Sequence, residues 1–100
     1  MMNELIHAVE EWAIDRNLHE ADPYKQILKV VEEIGEVAGA LARNNMDELR
    51  VEIGDGIVTL IILAMQLDMD IYDCLDAAYE KIENRKGKTI NGIYVKEEDL

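Results

Sequence analysis

The amino-acid sequence predicts an all-α fold: a four-helix bundle-like subunit with a short C-terminal extended or hairpin tail and an oligomeric core. Apolar residues return at helical spacing in four segments, Asp22 and Asp70 stand where helix starts need a side-chain oxygen, and Asn91-Gly92 sits between β-prone residues. The first helix is expected from about Glu4 to Asn17, with Leu5, Ile6, Val9, Trp12 and Ala13 on one side. Asp22 can cap free amides and Pro23 is preset for the first helical position, so a second helix should run from Tyr24 to Arg43. Asn44 and Asn45 break it. A third helix is expected from Met46 or Asp47 to Leu67, ended by the Asp68 to Asp70 turn. The fourth, Ile71 to Lys86, should bury Ile71, Tyr72, Leu75, Ala78, Tyr79 and Ile82 and stop at Gly87. Thr89 to Val95 then reads as a small ribbon that packs on a neighbour.

One proline and six glycines in 100 residues leave room for one domain spanning 1–100, without a second core or a linker. A lone Cys74 cannot form an internal disulfide, which suits a reducing compartment, and a cytoplasmic location is expected. His7, Glu10, Glu11 and Asp15 interrupt the N-terminal apolar residues as no signal peptide would tolerate. The most apolar run, Ile57 to Met65, is about half of the roughly 20 residues a membrane helix needs, so no membrane partner is expected. A formal net charge of −12 argues against nucleic acid as a partner, because a polyanion must be met by lysine and arginine. Lys81, Arg85, Lys86 and Lys88 nevertheless concentrate four of the ten basic residues near the end.

On a wheel of about 100° per residue, Glu48, Glu52, Asp55, Thr59 and Gln66 of the third helix fall within about 60°. Nearly everything else from Ile53 to Leu67 is apolar or glycine. Such a helix must be covered on most sides, more than three partner helices of one short chain can do, so a homodimer or homotetramer is expected. The second helix carries Glu32, Glu33 and Glu36 beside a broad apolar stripe; alone, that row is also what a solvated helix face looks like. Pairing makes the difference. Glu33 and Glu36 are three apart, as are Glu52 and Asp55, and antiparallel neighbours joined by a short turn would bring the two pairs together. Carboxylates that close repel unless protonated or neutralised, and hard divalent cations with oxygen ligands are the natural partners, Mg²⁺ first and Mn²⁺ as a substitute. A ferritin-like di-iron site would need Glu-x-x-His motifs, a context neither His7 nor His19 has; His7 is expected at a helix edge and His19 in a solvated loop.

Glu32-Glu33-Ile34-Gly35-Glu36 followed by Glu52-Ile53-Gly54-Asp55 resembles the MazG-type branch of the all-α nucleoside triphosphate pyrophosphohydrolases. The resemblance runs from about Gln26 to the end. Lys29 matches the usual lysine before the acidic motif, while Arg85-Lys86-Gly87-Lys88 and Asn91-Gly92-Ile93-Tyr94-Val95-Lys96 look like the tail of short, single-domain members, phage-encoded ones included. It implies hydrolysis between the α- and β-phosphates of a nucleoside triphosphate, giving monophosphate and pyrophosphate for pool control or cleansing. By position, Glu33, Glu36, Glu52 and Asp55 would hold Mg²⁺, and Glu32 would orient or deprotonate the attacking water with Glu33 and Glu36 beside it. Phosphoryl transfer relies mainly on positioning and charge neutralisation, so no protein nucleophile is required.

Lys81, Asn84, Arg85 and Lys88 are candidates for the substrate's outer charges, although basic residues at a helix C-terminus also offset its dipole. Asn84 and Arg85 are adjacent here, whereas dCTP-preferring relatives space a lysine, asparagine and arginine differently. Gln26 and Lys29 lie one turn before the acids and can reach the same groove, or Lys29 can simply pair with Glu33. Trp12 and Tyr79 are expected in the core, where either could border a nucleoside pocket; Met46, Met65 and Met69 should pack, and Cys74 should be buried or half-buried. Two alternatives stay open: a noncatalytic acidic helical module that binds a partner protein, and a pyrophosphohydrolase of another substrate such as phosphoribosyl-ATP.

Overall fold

The computed structural model describes residues 1–100. Helix α1 spans Met2–Ile14, α2 Pro23–Ala42, α3 Met46–Gln66 and α4 Ile71–Glu83. Strands β1, Gly87–Ile90, and β2, Ile93–Lys96, form an antiparallel hairpin, and short 3-10 turns occur at Leu18–Glu20 and Glu97–Asp99.

The starts of α2, α3 and α4 are capped by side-chain oxygens. Asp22 Oδ1 accepts from the Tyr24 amide at 2.9 Å, Asp70 Oδ1 from Tyr72 at 2.8 Å and Asn45 Oδ1 from Glu48 at 3.2 Å. Asn45 also closes α2: its amide donates to the Ala40 carbonyl at 3.0 Å while Asn44 takes the left-handed conformation at φ 56°. One residue thus ends one helix and starts the next, so only Arg43, Asn44 and Asn45 separate α2 from α3. Met69 and Asp68 repeat the closure at the end of α3, with Met69 donating to Ala64 at 2.8 Å and Asp68 at φ 56°.

Two helix ends fall earlier than the periodicity suggests. The first helix stops at Ile14 rather than Asn17, because Asn17 adopts φ 57° and opens the following 3-10 turn. The fourth stops at Glu83 rather than Lys86, and Gly87 begins β1 instead of ending the helix. The hairpin accounts for this: Gly87 pairs with Lys96, so the chain must be extended by then. Its tip, Asn91 at φ 51° and Gly92 at φ 80°, has the two positive φ angles of a type I′ turn.

Residues opposite one another on α2 and α3 run in reverse order: Gln26 Nε2 donates to the Thr59 carbonyl at 3.1 Å, and Glu36 approaches Glu48. The pair is therefore antiparallel and supplies most of the core, Val30 and Ala40 from α2 with Thr59, Ile61, Ile62 and Ala64 from α3. Ala13 of α1 completes it, and Gln66 Nε2 ties the first 3-10 turn to α3 through the Leu18 carbonyl at 2.9 Å. His19 is half-buried in that turn rather than solvated, with Nδ1 shielded and unpaired and Nε2 3.7 Å from Glu20.

Only 7 of 100 residues are buried, so large apolar side chains remain uncovered. Helix α4 leans on α3 yet buries none of its residues, leaving Tyr72, Leu75, Tyr79 and Ile82 outside, together with Trp12 and Cys74. The expected burial of these residues does not occur within the chain, because nothing in it lies over those faces. The accessible surface, 7750 Å², compares with about 5,800 Å² for a compact monomer of 11.4 kDa. No helix is long and apolar enough to cross a membrane.

Candidate metal centre

Helix α2 presents Glu33 and Glu36 from successive turns, and α3 presents Glu48, Glu52 and Asp55, because three- and four-residue steps return to one side of a helix. The short turn through Asn45 sets the register that makes the rows meet. Oxygens of Glu33, Glu52 and Asp55 lie within 4.8 Å of one another, as do oxygens of Glu36, Glu48 and Glu52. Glu52 belongs to both triads. The acids themselves are half-buried or exposed, and the polar strip of α3 turns inward only further along, where Thr59 is buried and donates its hydroxyl to the Gly56 carbonyl at 2.7 Å.

The electrostatics follow from this crowding. Partial desolvation, then the charges of Asp55, Glu33 and Glu36 and a hydrogen bond with Glu33, push the Glu52 carboxyl above its ordinary value of 4.5. No ion pair reaches Glu33, Glu36, Glu52 or Asp55. The donor set consists of carboxylate oxygens alone, without histidine or thiolate, which fits a hard divalent cation of the Mg²⁺ or Mn²⁺ kind and not zinc.

The remaining sequence-derived residues are distributed as follows. Glu32 belongs to neither triad and meets Lys29 Nζ at 3.6 Å, so Lys29 pairs with Glu32 and not with Glu33. Gln26 spends its amide on Thr59. Lys81, Asn84 and Arg85 line an open, wholly polar recess of about 700 Å³ with Lys86, Lys96, Glu97 and Glu98. Lys88, on β1, is not in its lining; Lys96, overlooked in the sequence, is, because the hairpin folds β2 back beside the end of α4. Glu48 was the other omission. The signal for it existed, since it shares the polar strip with Glu52 and Asp55, but only the antiparallel register places it opposite Glu36.

Between α1 and α3, Leu5, Ala8, Val9, Trp12 and Val58 line an apolar groove of about 400 Å³ that Asp55 borders. Trp12 is 46% exposed and carries the Arg16 guanidinium 4.3 Å from its ring centre.

Two carboxylate rows on an antiparallel α2–α3 pair are the core of a segment, residues 22–90, that matches the model of the MazG nucleotide pyrophosphohydrolase domain. The chain belongs to the MazG nucleotide pyrophosphohydrolase family. The MazG match takes in all five carboxylates and Lys81, Asn84, Arg85, Lys86 and Lys88, and leaves α1 and Lys96 outside. An uncharacterized 18.2 kDa protein in the rep-hol intergenic region of Haemophilus phage HP1 is 43% identical over 70 residues. That stretch covers 69% of this chain and 43% of the phage protein, so the chain spans under half the length of this curated relative. No solved structure matches the chain.

Proposed function

We propose that this MazG domain hydrolyses a nucleoside triphosphate between its α- and β-phosphates, releasing monophosphate and pyrophosphate, with Mg²⁺ held by Glu33, Glu36, Glu52 and Asp55. The observation that carries the reading is the convergence of unpaired carboxylates across α2 and α3 within 4.8 Å, in a chain of a nucleotide pyrophosphohydrolase family. When bound, Mg²⁺ neutralises charge on the phosphates and makes a nearby water easier to deprotonate. Glu32 is the proposed base: it stands beside Glu33, outside both triads, and its carboxylate would accept the water's proton in exchange for its ion pair with Lys29. Lys29, released, can face a phosphate oxygen. Gln26 reaches substrate only by surrendering its bond to Thr59.

The recess of Lys81, Asn84, Arg85, Lys86 and Lys96 is the proposed seat for the outer phosphates, with Lys88 contributing from the hairpin. Its cations have no partner among the acids of the metal centre, and only Lys96 is paired, to Glu98 at 3.4 Å. A second copy of the chain is the proposed cover for the bare apolar faces. The roughly 2,000 Å² by which the subunit exceeds a compact monomer is what each partner of a large obligate interface loses. A reducing, cytoplasmic setting agrees with an unpaired, exposed Cys74.

The deciding experiment incubates the protein with common nucleoside triphosphates and Mg²⁺ and follows the products by phosphorus NMR. Monophosphate with pyrophosphate supports the reading. Undiminished turnover in excess chelator, or release of orthophosphate alone, refutes it.

A further inference from the structure

We infer that Arg43 is the built-in counter-cation of the acidic centre: by holding Glu48 it keeps that carboxylate out of coordination and limits the nucleotide-free centre to one divalent cation. This rests on the metal-site reading above but concerns a residue which that reading leaves out.

The two carboxylate triads are alike in spacing and unlike in their surroundings. Glu33, Glu52 and Asp55 have no cationic partner, whereas both oxygens of Glu48 are taken. Glu48 Oε1 accepts from Arg43 Nη2 at 2.6 Å, at the short end of the range for a charge-assisted bond. Oε2 accepts from Asn45 Nδ2 at 3.0 Å, and the Glu48 amide donates back to Asn45 Oδ1 at 3.2 Å. The turn between α2 and α3 therefore fixes this carboxylate twice.

Arg43 is equally well placed. It is the residue after α2, where the helix dipole favours a cation. Its side chain folds back along the helix over Gly39: a Cβ there would stand 3.1 Å from Arg43 Nη1. Any larger residue at 39 would push the guanidinium off this path. A divalent cation on Glu36, Glu48 and Glu52 would need a Glu48 oxygen and would stand beside the guanidinium that already holds it. Two cations cannot share that carboxylate without repulsion. The first triad carries no such obstacle.

The test counts bound cations without nucleotide, using Mn²⁺ followed by titration calorimetry and by the electron spin resonance of free Mn²⁺ on the full chain. The wild type should take one Mn²⁺ per chain. Arg43→Gln should take two, because Glu48 Oε1 is freed and the guanidinium charge is gone; Arg43→Lys, which keeps the charge, should take one; and Arg43→Gln with Glu48→Gln should return to one. Glu48→Gln alone should bind one Mn²⁺ with affinity within about threefold of the wild type, a readout that remains if Arg43→Gln fails to fold. The inference is overturned if Arg43→Gln binds no more than the wild type, if the wild type already binds two, or if Glu48→Gln weakens the single site tenfold. A wild type that binds no Mn²⁺ overturns the metal-site reading as well, so the two failures are distinguishable.

Discussion

Glu33 on α2 and Glu52 on α3 face one another across the helix pair with carboxylate oxygens within 4.8 Å, and neither has a cationic partner. Without a cation that arrangement repels itself, and Asp55 and Glu36 add to the repulsion. The fold tolerates it because α2 and α3 are locked elsewhere, by the Asn45 turn at one end and the Gln26 to Thr59 bond toward the other.

Replacing Glu52 by Gln should therefore raise the melting temperature of the metal-free protein and abolish the further rise that Mg²⁺ or Mn²⁺ produces in the wild type. Thermal unfolding with and without each cation checks both halves. A mutant still stabilised as strongly as wild type by either cation would remove Glu52 from the centre.

The same crowding sets a pH dependence. The Glu52 carboxyl is raised above 4.5 in the fold, so between that value and its folded one the native chain binds more protons than the unfolded chain. Its contribution to stability is fully present below 4.5 and is lost as pH rises through the folded value. Urea unfolding in chelator from about pH 4 to about pH 8 should show this fall, and Glu52→Gln should flatten it.

Alanine at Glu36 or Asp55 should lower pyrophosphate release about 100-fold or more with helicity retained, since each removes a charge that fixes a cation at the reacting phosphates. Arg85→Ala in the basic recess should act mainly on KM. Steady-state kinetics beside circular dichroism separates these outcomes.

Gly87→Ala should unfasten the hairpin. A Cβ there meets the Val95 carbonyl and lies 2.6 Å from the Tyr94 hydroxyl, both across the ribbon. The overpacking should cost about 1–3 kcal/mol, read as faster amide exchange at Lys88 and Ile90 while α2 and α3 keep their protection.

Ile34 is 59% exposed on α2, one of the bare apolar side chains for which a second copy is the proposed cover. Ile34→Glu should shift the sedimentation coefficient toward a monomer, lower the melting temperature and weaken the dependence on protein concentration that the wild type's melting temperature shows. A wild type that already sediments as a monomer at micromolar concentration would remove the second copy from the proposal.

The helices, the two caps at Asp22 and Asp70, the type I′ hairpin and the pairing of acids three residues apart were all legible in the sequence, because each depends on residues within a turn or two of one another. Element ends and burial were less legible. Boundaries moved where tertiary or hairpin pairing overruled local propensity, as at Gly87. Burial was overestimated for Trp12, Cys74 and the α4 stripe, because periodicity says which side of a helix is apolar and not whether anything covers it.

Taken alone, the sequence determined that this is a helical chain with two acid pairs at metal-binding spacing and a late cluster of cations. Only the tertiary structure decided that Glu48 joins the acids while Arg43 and Asn45 hold it, that Lys96 rather than Lys88 lines the recess, and that the chain leaves its apolar faces bare. The reason is physical: spacing along a helix is set by the backbone, whereas encounters between side chains of different elements depend on register and direction, which are settled by turns and packing.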